Sequence, residues 1–279
     1  MPPTRTAPSP PWLYPNLLGL DAPLVAVSWH WLFAKSFGIE FPPVFHLILG
    51  LSAWCIYLAD RLYDVFTGKN PENGTDRMKF TFRNFRYLVA TLVIAASVNL
   101  FLIIQHVPTH LILSGLATAS LLAIYYAFRF KCASRIKAII PREILCGMLF
   151  SLGCAITPHA FGAGHPQAFW LAVASFGIVC SAACILISVW ERDEDLASND
   201  SSIATEHSRV GRHMSLALPL LALLCIPAAL SGNWKIYASV AASAIALLLM
   251  LGLQEKLSKQ LLRVLADAIL LTPLIFIWF

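Results

Sequence analysis

Long apolar runs separated by short polar connections dominate this chain. A helix needs about 20 mostly apolar residues to cross a bilayer. Runs of that kind fall at 22–37, 43–62, 87–105, 109–130, 139–161, 169–190, 215–230, 234–253 and 261–279. The pattern predicts an all-α, polytopic membrane protein with about nine transmembrane helices, the first of them short. Pro108, Pro158, Pro166 and Gly232 punctuate the connections, as helix breakers do. Residues 1–21 have no charged start, short apolar core or small-residue cleavage site, so they read as a disordered cytoplasmic tail rather than a signal peptide. The remainder, 22–279, reads as one transmembrane helical domain.

Composition supports the same class. The chain is 58% hydrophobic and 13% charged over 279 residues, with a mean hydropathy of +0.71. A soluble domain carries about a quarter charged residues and could not cover its surface with so few. The distribution of charge says more than its sum of +5. With the N-terminus inside and loops assigned alternately, 18 of the 20 Lys and Arg residues fall inside and only Lys35 and Lys235 outside. That bias sets orientation in membrane proteins. It places the chain in the inner (plasma) membrane with its charged loops cytoplasmic. Seven scattered cysteines form no CxxC pair, and they read as small apolar residues within the helices.

Two acidic turns stand at the ends of apolar runs on that inner side. One is Tyr57-Leu58-Ala59-Asp60-Arg61-Leu62-Tyr63-Asp64; the other is Trp190-Glu191-Arg192-Asp193-Glu194-Asp195. Asp60 and Asp64 share a helix face, as do Glu191 and Asp195. Like charges at that spacing repel unless a cation lies between them. Carboxylate oxygens suit Mg²⁺, which bridges one or two carboxylates to substrate phosphates. Taken singly, each turn also reads as a solvated set of interfacial charges.

The segment Ala59-Asp60-Arg61-Leu62-Tyr63-Asp64 resembles the first aspartate-rich motif of the UbiA superfamily of intramembrane prenyltransferases, at the end of helix 2. Glu191 to Asp195, followed by Asp200, Ser201, Ser202 and Ile203, resembles that family's second motif at the end of helix 6. The family's leading Asn and first Asp correspond to Ile56 and Tyr57, which departs from its pattern. The resemblance implies a UbiA-like bundle in which Asp60 and Asp64 hold one Mg²⁺ and Glu191 and Asp195, with Asp193, hold another. It also implies transfer of a polyprenyl group from an isoprenyl diphosphate to a lipophilic, aromatic acceptor. Diphosphate contacts would come from Tyr126, Arg129 and Lys131 at the end of helix 4, from Lys137, from Arg77 after the first motif, and from Arg192. Expected partners are therefore the diphosphate, the acceptor, membrane lipids and other membrane proteins, with no nucleic acid. The departure at Ile56 and Tyr57 also suits a non-catalytic relative, a membrane scaffold or lipid-binding subunit. CDP-alcohol phosphotransfer expects a DGxxAR-type segment, which the chain lacks.

Pro141-Arg142-Glu143 suits the first turn of a helix, with Glu143 complementing the helix dipole. Asp267, inside the last run, is expected to pair with Arg263 four residues earlier. His30 and His46 read as core residues of the first two spans.

Overall fold

The structure is a computed structural model that describes residues 10–66, 75–131, 141–162, 166–197, 201–230 and 232–276. It is all-helical, with no strand among the described residues. A 3₁₀ turn over Pro11–Leu13 leads into α1 (Tyr14–Leu17), α2 (Asp21–Phe37), α3 (Val44–Phe66) and α4 (Asp76–Arg83). Then come α5 (Phe85–His106), α6 (Thr109–Lys131), α7 (Arg142–Ala160), α8 (Pro166–Trp190), α9 (Arg192–Ala197) and α10 (Ile203–Glu206). The chain ends with α11 (Val210–Leu230), α12 (Trp234–Leu253), α13 (Lys259–Ile269) and α14 (Pro273–Phe276).

Six of these helices are long and apolar enough to cross a membrane: α3, α5, α7, α8, α11 and α12. A seventh span results if the segments Pro11–Leu17 and Asp21–Phe37, bent by 75°, count as one. The chain is therefore an integral membrane protein. Its last expected span is divided: α13 is 11 residues, α14 is four, and Leu270–Thr272 interrupts them. Pro273 explains the interruption, because a residue before proline is pushed out of the helical region. α6 is a full 23-residue helix, with described apolar side chains over Thr109–Leu121.

The expected tail is also corrected. From Pro11 onward it is helical, with Leu13, Asn16 and Leu17 buried. A four-residue helix cannot satisfy its own last carbonyls, and α3 supplies the donors. Arg61 donates to the Asn16 carbonyl at 2.7 Å and to that of Leu17 at 2.9 Å, while Trp54 Nε1 donates to that of Leu18 at 2.9 Å.

α8 is the central post. Its sequence is apolar on all sides, as a core helix must be, and 67% of its most apolar window is buried, against 17% for α5 and for α11, which face outward. Around it, Trp29 stacks on Phe176 at 4.0 Å and Phe33 meets Phe169 at 5.9 Å. Trp29 Nε1 donates to the Leu270 carbonyl at 2.7 Å, satisfying backbone freed by the break after α13. The expected core histidines meet: His30 Nδ1 and His46 Nδ1 lie 2.8 Å apart.

Lipid tails are as apolar as leucine, so membrane helices associate through small residues and buried hydroxyl bonds. α7 and α8 meet this way. Ser151 Oγ donates to the Val173 carbonyl at 2.6 Å, and Ser181 Oγ bonds to the carbonyls of Gly177 and Ile144 at 2.7 and 3.1 Å. At Gly147 the approach is so close that a Cβ would collide with the backbone nitrogen of Ser181. Gly147→Ala is therefore expected to destabilise the bundle by about 1–3 kcal/mol, read as a lower midpoint of thermal unfolding in detergent.

Candidate polar site at one end of the bundle

Side-chain contacts gather the charged connections at a single end. The turn between α8 and α9 carries the second acidic set, and each of its motif carboxylates meets a cation from another helix. Glu191 pairs with Arg263 of α13, Asp193 with Lys259 at 3.1 Å, and Asp195 with Arg142 of α7 at 3.5 Å. The Asp193 pair is exposed and worth little, whereas Glu191–Arg263 is largely shielded from solvent.

The expectation for Asp267 is corrected by this arrangement, because Arg263 turns to Glu191. Asp267 faces the N-terminal segment instead. Asn16 Nδ2 donates to Asp267 at 3.3 Å and to Asp21 at 2.6 Å, so one amide group bridges the two carboxyl groups.

Glu143 is likewise more than a helix-start residue. It is buried, and its Oε1 accepts from Arg142 Nε at 3.0 Å and from the Ile203 backbone N–H at 3.3 Å. It thus ties the head of α7 to α10. Arg192, expected at the substrate, donates from Nε to the Ala204 carbonyl at 2.9 Å and so braces the α9–α10 turn.

A cavity of about 340 Å³ opens beside these pairs, lined in part by Asn16, Arg77, Lys79, Glu191, Glu194, Lys259 and Arg263. With Asp76 also in the lining, four cations face three carboxylates, a small positive balance that suits an anion. Burial and the adjacent Glu191 carboxylate push the Glu194 carboxyl up. Arg77 enters from α4, whose start is capped by the Thr75 hydroxyl accepting from Met78 N–H at 3.4 Å. Arg77 Nη1 donates to the Tyr57 hydroxyl at 3.0 Å, and Arg61 lies over the same ring at 4.3 Å. The ring face attracts both guanidinium groups.

Of the residues singled out from sequence, Arg77 and Glu191 share the cavity. Asp60 and Asp64, in the last turns of α3, do not line it. Tyr126, Arg129 and Lys131 belong to the end of α6, and Lys137 lies outside the described residues. Among the described residues, no three His, Cys, Asp or Glu side chains form a ready metal cage. Sequence reasoning missed Lys259, Asn16 and Lys79, and read Arg263 only as the partner of Asp267. Lys259 and Arg263 sit four apart, so their shared helix face was a signal that could have been matched to the second acidic set.

Comparison with protein-family models, with curated proteins and with solved structures found no match.

Proposed function

We propose that the chain is an integral-membrane, UbiA-like prenyltransferase that moves a polyprenyl group from its diphosphate to a lipophilic, aromatic acceptor in a Mg²⁺-dependent reaction. The observation that carries this reading is the cavity beside the second acidic turn, where Arg77, Lys79, Lys259 and Arg263 stand next to Glu191 and Glu194 and offer cations to an anionic headgroup. A nine-span bundle with this end in the cytoplasm belongs to the same reading, and the distribution of 18 of 20 basic residues supports it.

The donor set fits Mg²⁺. Pairs of carboxylates suffice for an ion that keeps several waters and takes its remaining ligands from phosphate oxygens. Asp60 and Asp64 would hold one ion; Glu191 and Asp195, with Asp193 beside them, would hold the second. When bound, Mg²⁺ supplies neutralisation of charge on the departing diphosphate. Arg77, Lys259 and Arg263 bind and orient the anion from the cavity wall, and the resemblance adds Tyr126, Arg129, Lys131 and Lys137 as further contacts. Arg192 keeps the acidic turn in place through α10.

One observation favours a second reading, a non-catalytic UbiA-like scaffold or lipid-binding subunit of a larger complex. Tyr57 stands where the resemblance expects a metal-binding aspartate, and Arg61 and Arg77 clamp it. Protein cations also neutralise Glu191, Asp193 and Asp195.

Binding of farnesyl diphosphate to the purified protein in nanodiscs, with and without Mg²⁺, tests the enzyme reading. Binding is expected only with Mg²⁺, and Asp64→Asn is expected to weaken it at least about tenfold, ~1.4 kcal/mol. Binding indifferent to both Mg²⁺ and Asp64 supports the scaffold, and absence of binding overturns the enzyme.

A further inference from the structure

Away from the polar end, α2 and α3 leave a groove of about 170 Å³ between them. Pro23 and Val27 wall it on one helix, and His46, Leu47, Leu51 and Trp54 on the other. Residues 46, 50 and 54 recur every four along α3 and so lie in line on one face. That line is about 12 Å long at ~1.5 Å per residue. The groove opens on the lipid side, where Leu47 is exposed. Apart from His46 at one end, these walls are hydrocarbon and the indole of Trp54, whose N–H is already given to the Leu18 carbonyl.

His46 does not stand alone. Its Nδ1 lies 2.8 Å from Nδ1 of His30, which is fully buried in α2. Charge is costly in hydrocarbon, so two neutral rings share one proton between these nitrogens, one donating and the other accepting. The far side of each ring decides which. His30 Nε2 is enclosed and has no partner among the described residues. An enclosed N–H without an acceptor is the rarer kind of orphan, so His30 carries its proton on Nδ1 and leaves Nε2 bare. His46 Nδ1 then accepts, and His46 carries its own proton on Nε2. That nitrogen also has no partner among the described residues, but unlike His30 Nε2 it is not enclosed. Phe41 packs on both rings, with centroids 4.9 Å from His30 and 5.2 Å from His46, and holds them in place.

We propose that this groove binds a lipid-soluble ketone, its apolar body along α2 and α3 and its carbonyl oxygen accepting from His46 Nε2. A lone donor at the end of an apolar groove selects an oxygen lone pair, and the hydrocarbon around it supplies none. A carbonyl meets that need with nothing left over. A hydroxyl brings a proton of its own that finds no acceptor there, and a carboxylate brings a charge. The groove shares no lining residue with the cavity beside Glu191, so the site stands whatever reaction the polar end performs.

Photolabelling of the full chain in nanodiscs with benzophenone, a ketone that inserts into nearby C–H bonds under illumination, tests this. Adducts mapped by mass spectrometry are expected on Val27, Leu47 and Leu51. His46→Phe keeps a ring and removes the donor; it is expected to cut this labelling about five- to tenfold, the worth of one hydrogen bond. His46→Gln restores an N–H donor and is expected to keep most of it. In the unaltered chain, fluorenone is expected to compete and fluorene, the same rings without oxygen, to leave labelling unchanged; this arm needs no variant to fold. Equal labelling of His46→Phe overturns the proposal. So does equal competition by fluorene, or adducts spread evenly over the outward-facing α5 and α11.

Discussion

Arg263 on Glu191, Arg142 on Asp195, and Arg61 on the carbonyls that end α1 are one kind of contact repeated. In each, a cation that cannot lose its charge is carried into a poorly hydrated place and met there by an acceptor from a different helix. Removing one partner of such a contact leaves an uncompensated charge, at about 3–5 kcal/mol. The arrangement of helices at this end is therefore dictated by where the acceptors are. The N-terminal segment, α4, the head of α7, the α8–α9 turn and α13 share little sequence character, yet each contributes charges or carbonyls to the polar contacts at this end.

This dependence explains which parts of the fold were legible in the sequence. The helical membrane character could be read because long apolar runs mark the spans, six of which the fold carries as helices of spanning length. What the carboxylates touch was not legible. Arg263 lies four residues from Asp267, and helical spacing alone favours that pair; only the packing of α13 against the end of α8 gives Arg263 to Glu191 and Asp267 to Asn16. Similarly, Leu13 and Leu17 sit in a stretch whose prolines suggest disorder, and their burial depends on Arg61 and Trp54, distant in the chain.

The seam between α7 and α8 escaped for a different reason. Glycine, serine and cysteine carry no periodic signal strong enough to name a partner helix, although they are the residues that let two backbones touch. The resulting closeness brings Arg142 and Glu143 up against the acidic turn. Tyr57 shows the opposite case. In the sequence it stood out only as a departure from the motif the segment resembles; in the fold it is a working part, the ring on which two guanidinium groups rest.

The length of α8 fixes the depth at which all this happens. Trp170 near its start is 41% exposed, the position of a ring that settles where hydrocarbon gives way to headgroups. From residue 170 to residue 190 the helix climbs 20 residues, about 30 Å at ~1.5 Å each. That matches the hydrocarbon thickness of a typical bilayer, about 30 Å. Glu191 follows directly, so the first carboxylate of the turn emerges at the level of the opposite leaflet's phosphates. The same ~30 Å that lets α8 cross the hydrocarbon thus carries its ion pairs out of it, where water shares in their solvation.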